Sequence, residues 1–251
     1  IRILDRESIT AGVSALRLDR LGFTLSDLKR FRRAIHEPYG MVLVTGPTGS
    51  GKTTTLYAAI TEINTVEDKL ITIEDPVEYH LPGVVQIQVN EKKGLTFARG
   101  LRSILRHDPD KVMVGEIRDI ETATVAVRAA LTGQQLFSTL HTIDAPSAIT
   151  TLENFGIQPY LLSSALSGVV AQRLVRRICE ACKQWYTPNP TVIRQLGLPT
   201  TPAEVRFAYG AGCAACYQTG YRGRTGLFEI FLVHETLRRL IMERASEQEL
   251  K

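Results

Sequence analysis

Met41-Val42-Leu43-Val44-Thr45-Gly46-Pro47-Thr48-Gly49-Ser50-Gly51-Lys52-Thr53 carries an unbroken apolar run straight into a glycine-rich turn, and helical sequence follows from Lys52 to about Asn64. Strand, turn and helix in that order open a βαβ unit. Gly46, Gly51, Lys52 and Thr53 satisfy the spacing G-x-x-x-x-G-K-[ST]. Three glycines let the backbone bend so that successive N–H groups face a phosphate, and the helix N-terminus adds about half a positive charge. Lys52 is suited to bridge the β- and γ-phosphates, and the Thr53 hydroxyl to ligate Mg²⁺. The expected nucleotide contacts are Gly46, Pro47, Thr48, Gly49, Ser50, Gly51, Lys52, Thr53 and Thr54, with ATP and Mg²⁺ as ligands. A chance glycine turn is the alternative, and both flanks count against it.

Outward from this stretch, Leu70-Ile71-Thr72-Ile73, Val112-Met113-Val114 and Gln135-Leu136-Phe137-Ser138-Thr139-Leu140 are continuous apolar runs with helical sequence nearby. Buried parallel strands have that pattern, so the chain is expected to be an α/β protein with a mainly parallel sheet. Val84 to Val89 alternates like a half-exposed strand and suggests an antiparallel excursion. Leu28, Phe31, Arg32 and Ile35 have helical spacing, and Pro38 stops that helix. Residues 1–27 resemble the tail of a preceding domain plus a linker, and a first residue of Ile1 rather than Met suggests an excerpt. The expected division is 1–27, a P-loop core at 28–172, a cysteine-bearing subdomain at 173–217, and a C-terminal helical segment at 218–251.

At 251 residues and 44% hydrophobic the chain can bury a substantial core. Tyr160 to Ala171 is the longest apolar stretch and falls well short of the roughly 20 residues a membrane span needs. No charged-then-apolar leader opens the chain, and the expectation is a soluble cytoplasmic protein. Net charge is +4, from 30 basic and 26 acidic residues, which leaves nucleic acid without an electrostatic footprint. Gln172-Arg173-Leu174-Val175-Arg176-Arg177 is the one basic run. It is taken as a solvated helix end, with an acidic partner or lipid headgroups as the alternative.

Ligands in open α/β sheets bind outside the C-terminal ends of the strands. There the chain places Glu74-Asp75-Pro76-Val77-Glu78, then Gly115-Glu116-Ile117-Arg118-Asp119, then His141-Thr142. Phosphoanhydride hydrolysis needs an oriented water, a metal and cationic or hydrogen-bonding groups. Glu116 is the candidate Mg²⁺ holder, at the end of a strand expected beside the phosphate loop. Glu78 is the first choice for the water-positioning base and Glu74 the second. His141 is expected to sense the γ-phosphate or link it to a neighbouring subunit, with a structural residue as the alternative, and Glu74 with Asp75 have a helix-capping alternative. Arg99, Arg102, Arg106 and Arg118 are not ranked by sequence.

All four cysteines lie in Cys179-x-x-Cys182 and Cys213-x-x-Cys216, with 30 residues between the pairs and Pro188, Pro190, Pro199 and Pro202 in that loop-rich insert. Four thiolates from two such knuckles suit a structural Zn²⁺. Four reduced thiols are the alternative. A redox pair is disfavoured because neither motif is expected to follow a strand.

Together these motifs resemble the secretion and pilus ATPases of the GspE, PilB and PilT type. Gly46 to Thr53 resembles that family's Walker A, Thr72 to Tyr79 its Asp box, Leu105 to Asp119 its Walker B signature, and Ser138 to Thr142 its His box. The paired cysteines followed by Gly220-Tyr221-Arg222-Gly223-Arg224-Thr225-Gly226 are similar to the export and assembly branch, GspE and PilB. The resemblance implies a RecA-like P-loop core, a homo-hexamer, and hydrolysis coupled to domain rotation. It further implies an inner-membrane platform protein and a membrane-anchored adaptor as partners, and arginines of a preceding domain reaching the nucleotide, for which Arg2 is a candidate. A nucleotide-gated subunit without turnover and a nucleic-acid translocase are the rival readings.

Overall fold

The computed structural model describes residues 16–198 and 205–251. Most of the expected N-terminal tail, Arg2 included, and Pro199 and Pro202 lie outside the described residues. Two compact units make up the chain: the part up to Arg173 together with Gly226–Lys251, and Leu174–Thr225.

In the larger unit, α1 (Leu25–Ile35) starts where Thr24 accepts a hydrogen bond from the Asp27 amide at 3.1 Å, and it buries Leu28, Phe31, Ala34 and Ile35. That i, i+3, i+6, i+7 spacing is one face of a helix. It ends before Pro38, as the sequence predicts. The strands β1 (Gly40–Thr45), β2 (Leu70–Glu74), β3 (Val85–Gln88), β4 (Lys111–Val114), β5 (Gln135–Leu140), β6 (Leu166–Ile178) and β9 (Tyr221–Leu232) form one sheet in the order β3-β2-β4-β5-β1-β6-β9. Each pairing from β3 across to β6 is parallel, with Val42 opposite Phe137 and Thr72 opposite Met113. Helices cover both faces: α2 (Lys52–Ile63) and α1 one of them, α3 (Phe97–Leu105), α4 (Ile120–Leu131), α5 (Pro146–Asn154), α6 (Pro159–Ala165) and α8 (Glu235–Met242) the other. Alternate strand residues therefore feed two cores. Met41 and Leu43 pack with Ile71, Ile73, Val112 and Val114, whereas Val42 and Val44 pack with Phe137, Leu56 and Ile60. Burial on both sides explains the unbroken apolar runs.

Several expectations change. The segment around Val84–Val89 forms β3, an edge strand parallel to β2 rather than an antiparallel excursion. Its alternation reflects its edge position, where no residue of the strand is fully buried. The basic run belongs to β6 and not to a helix end: Gln172 is buried, and Arg173, Val175, Arg176 and Arg177 are exposed along the strand. Nor is the C-terminal segment helical throughout, because β9 occupies Tyr221–Leu232 before α8 and α9 (Glu247–Leu250). No helix among the described residues is long and apolar enough to cross a membrane.

The smaller unit holds the hairpin of β7 (Lys183–Tyr186) and β8 (Phe207–Gly210), antiparallel with Trp185 opposite Ala208, and the short helix α7 (Pro190–Gln195) capped by Asn189. Gly210 and Gly220 bring their backbones together so closely that a Cβ on Gly210 would sit 2.0 Å from the Gly220 carbonyl oxygen.

Phe31 is fully buried and stacks on Phe23 at 5.4 Å between ring centroids. Phe31→Ala is expected to cost about 3–5 kcal/mol, measured as a lowered urea midpoint at unchanged slope.

Candidate functional site

The phosphate loop leaves β1 at Thr45 and enters α2 at Lys52, with Gly46, Gly49 and Gly51 at φ of 141°, 78° and 88°. Gly46 is required there. A Cβ on it would lie 2.3 Å from the Gln172 carbonyl oxygen and 2.7 Å from Ser50 Oγ. Gln172, buried on β6, grips the loop from the side: its Nε2 donates to the Ser50 carbonyl at 2.7 Å, and its Oε1 accepts from Thr55 Oγ1 at 2.7 Å. No side chain caps α2. Its first amides are thus the helix-end donors that suit an anion. Lys52 Nζ donates to the carbonyls of Gly46 at 2.8 Å and Pro47 at 3.2 Å, so its ammonium is held against the loop. Burial lowers the Lys52 pKa from its ordinary value, and the Glu116 charge pulls it back up. The buried hydroxyls Thr45 Oγ1 and Ser50 Oγ have no hydrogen-bond partner among the described residues. Thr53 is half-buried and Thr54 exposed. Positive-φ glycines, uncapped amides, a buried lysine and orphaned hydroxyls fit a nucleoside triphosphate with Mg²⁺.

The parallel strands deliver Glu74, Glu116 and His141 to one edge. Glu116 lies just past β4, and β5 separates that strand from β1, so it is not the immediate neighbour of the phosphate loop as the sequence suggested. The strand ends are stapled: Gly115 N–H donates to the Ile73 carbonyl at 2.8 Å, Thr139 Oγ1 to the Gly115 carbonyl at 2.8 Å, and Ile117 N–H to the Thr139 carbonyl at 3.0 Å. His141 Nε2 lies 3.2 Å from Glu116 Oε2, and Arg118 forms an ion pair with the other Glu116 oxygen. Arg118 also reaches Asp75 at 4.0 Å. Its hydrogen bond to Glu116 raises the guanidinium pKa still further.

Glu74 and Glu78 occupy different settings. Glu74 is buried and accepts from Tyr57 Oη, from Thr72 Oγ1 at 2.5 Å and from Gln86 Nε2 at 3.0 Å. It ends β2 and caps no helix, which removes the capping alternative. Glu78 is half-buried on the turn beyond, and its backbone N–H points to Tyr57 Oη at 3.4 Å. Burial, followed by the Glu78 and Glu74 charges, pushes the Tyr79 phenol up to about 12. Sequence reasoning missed Tyr57, Thr72 and Gln86 as partners of Glu74, and Gln172 as the clamp on the loop. Only Gln172 had a signal, as the uncharged head of the basic run. Arg102 pairs with Glu121 at 2.6 Å on the surface, and Arg99 bonds the Gly94 carbonyl at 2.9 Å.

In the smaller unit the four cysteine sulfurs all lie within 4.8 Å of one another. Cys179–Cys213, Cys182–Cys216 and Cys213–Cys216 are separated by 3.9, 3.8 and 3.7 Å. A tetrahedron with Zn–S bonds of about 2.3 Å has edges of about 3.8 Å, and a disulfide would need about 2.05 Å. Cys179 does follow a strand, β6, contrary to expectation; the clustering of all four thiols is what separates this site from a two-cysteine redox pair. Burial pushes the Cys216 thiol up, but the backbone amides of Cys213 and Gly220, at 3.2 and 3.3 Å, bring it down to about 6. Such amides favour thiolate, the metal-binding form.

The Type II/IV secretion system protein family matches residues 1–251. The chain belongs to that family. Within it, the chain is 51% identical to Type II secretion system protein E of Pseudomonas aeruginosa over 100% of its own length and 49% of the relative's. It is 48% identical to the type IV pilus assembly ATPase PilB of Thermus thermophilus over 93% of this chain and 26% of that one. It spans about half the length of most of these relatives. Among solved structures, the pilus retraction motor PilT with bound ADP superposes with a TM-score of 0.67 at 31% identity, covering 91% of this chain and 56% of that one.

Gly46→Ala is expected to abolish binding of a fluorescent ATP analogue while the far-UV circular dichroism stays that of the parent. Elemental analysis of freshly purified protein is expected to find one zinc per chain. Because the ligands must be deprotonated, metal release should follow acidification.

Proposed function

We propose that this chain is the nucleotide-hydrolysing part of a motor that assembles a type II secretion pseudopilus or a type IV pilus. The observation that carries the reading is the phosphate loop set at the same sheet edge as Glu116, His141 and the Glu74–Glu78 turn. Lys52 and the loop amides hold the β- and γ-phosphates, and the Thr53 hydroxyl and Glu116 hold Mg²⁺. Glu78 orients the water that attacks the γ-phosphorus as the bond to ADP breaks. Burial and three donors leave Glu74 supporting the turn instead. His141 and Arg118 hold the Glu116 carboxylate in place from either side.

Relatives named as a secretion-system ATPase and a pilus assembly ATPase support the secretion and pilus setting; the wider proposal is a homo-hexamer acting in the cytoplasm on an inner-membrane platform protein through a membrane-anchored adaptor, without nucleic acid. Cys179, Cys182, Cys213 and Cys216 would hold Zn²⁺ in a structural role, because four thiolates would fill its ligand set.

Steady-state ATPase assays of the full-length protein test this. Lys52→Ala is expected to remove turnover, and Glu78→Gln to keep ATP binding while lowering kcat at least about 100-fold. A Glu78→Gln enzyme that turns over normally would move the base elsewhere. A parent no faster than Lys52→Ala would end the motor reading.

A further inference from the structure

The helix that starts at Lys52 presents, as its sixth residue, Tyr57, a fully buried phenol 17 residues before Glu74 in the sequence. Its hydroxyl donates to Glu74 at the end of β2. The same oxygen lies 3.4 Å from the Glu78 backbone N–H and 3.4 Å from Gln86 Nε2. Its ring meets Tyr79 edge to face, 4.7 Å between centroids at 89°. Gln86, on β3, closes the other side of the turn: its Nε2 donates to Glu74 Oε1 at 3.0 Å and to the Tyr79 carbonyl at 3.2 Å, and its Oε1 accepts from the Leu81 N–H at 2.7 Å.

We propose that Tyr57 is the positioning residue that sets Glu78 relative to the phosphate loop. The inference rests on the reading of Glu78 as the water-orienting group. Lys52 and Tyr57 share one rigid helix, five residues or about 7.5 Å apart along its axis. The turn that bears Glu78 is fastened to that helix by the Tyr57 hydroxyl and ring, and to the sheet by Gln86. Burying a carboxylate, a phenol and an amide together costs more than an apolar filling of the same space. What the polar filling adds is direction. An apolar plug would leave the height of the Glu78 backbone over Lys52 unfixed, and a displacement of about 1 Å in a reacting group costs about 100-fold in rate. A phenol also suits the task chemically: burial and then the Glu74 hydrogen bond push its pKa far above the ordinary value, so the proton that bonds Glu74 stays on the oxygen.

The test is Tyr57→Phe in the full-length protein, which keeps the ring and removes only the hydroxyl. The expected result is a kcat lowered about 10- to 100-fold, with the KM for ATP and the Kd for ADP within about twofold of the parent. Combined with Glu78→Gln, Tyr57→Phe should produce no further loss in single-turnover hydrolysis, because both act through the same carboxylate. Gln86→Met, on the exposed edge strand, should lower kcat selectively as well, which guards against a folding defect peculiar to one variant. A Tyr57→Phe enzyme with parental kcat overturns the proposal, as does one that loses nucleotide affinity in step with kcat or whose loss adds in full to that of Glu78→Gln. Normal turnover by Glu78→Gln overturns the base assignment, whatever Tyr57→Phe does. An inactive Glu78→Gln beside a fully active Tyr57→Phe overturns the positioning role alone.

Discussion

Parallel pairing is the constraint on which everything else in the larger unit rests. Because β3, β2, β4, β5, β1 and β6 all run the same way, their C-terminal ends must emerge along one edge, whatever residues they carry. Groups far apart in the sequence, such as Lys52, Glu116 and His141, become neighbours there without any long loop having to place them. Helices on both faces are the condition for this, since parallel sheets are stable when both sides are buried. The alternation of Met41 and Leu43 into one core with Val42 and Val44 into the other meets that condition directly. Close approach at the edge then demands small residues. Gly115 lies where a Cβ would come within 3.3 Å of the Glu74 Cα, so strand β4 can draw up beside β2 at their ends.

Charge at this edge is arranged in opposed pairs. Lys52 is buried against two carbonyl oxygens, which supply partial negative charge but not a counter-ion, and Glu116 is the acid whose field reaches it. Glu116 is in turn flanked by Arg118 and His141. A carboxylate held from two sides has a defined direction in which its oxygens point. Its ion pair with Arg118 is only partly exposed, so screening by salt weakens it less than it weakens the surface pair of Arg102 and Glu121. The four thiols of the smaller unit follow the same logic with a different charge, because backbone amides around Cys216 favour the anion a metal would neutralise.

Most of the larger unit was legible in the sequence, because its strands are continuous apolar runs bounded by glycine or acids and its phosphate loop has a fixed spacing. The misjudged elements have physical reasons. Edge position gave β3 the alternation of a half-exposed strand, and alternation carries no information about direction. The basic run at Arg173, Arg176 and Arg177 has charges at both odd and even spacings, a pattern that suits an exposed strand extension as well as a helix end. The metal site was expected from its two knuckles, but not how an insert of 30 residues closes between them. It closes because Gly210 and Gly220 permit backbone contact and the Cys179 N–H donates to the Gly220 carbonyl at 2.9 Å, which brings the two knuckles together. Partners such as Tyr57, Thr72 and Gln86 were invisible because a side chain that serves another side chain leaves no spacing signature.

Glu74 and Glu78, four residues apart, show why the sequence left their roles open. Both are acids after the same strand, and composition treats them alike. The strand's last residue inherits the sheet's burial, so Glu74 is drawn inside and needs donors. Tyr57, Thr72 and Gln86 come from a helix, from β2 itself and from β3, and together they satisfy it. A carboxylate so enclosed has its lone pairs committed, and freeing one to meet a water would leave a buried donor unmatched at about 1–3 kcal/mol. Beyond the proline at Pro76 the chain has left the sheet, and Glu78 sits half-buried on the turn. Burial thus separates the two acids: the inner one is enclosed by donors at the end of β2, and the outer one lies half-buried on the turn, where the proposed function assigns it the water.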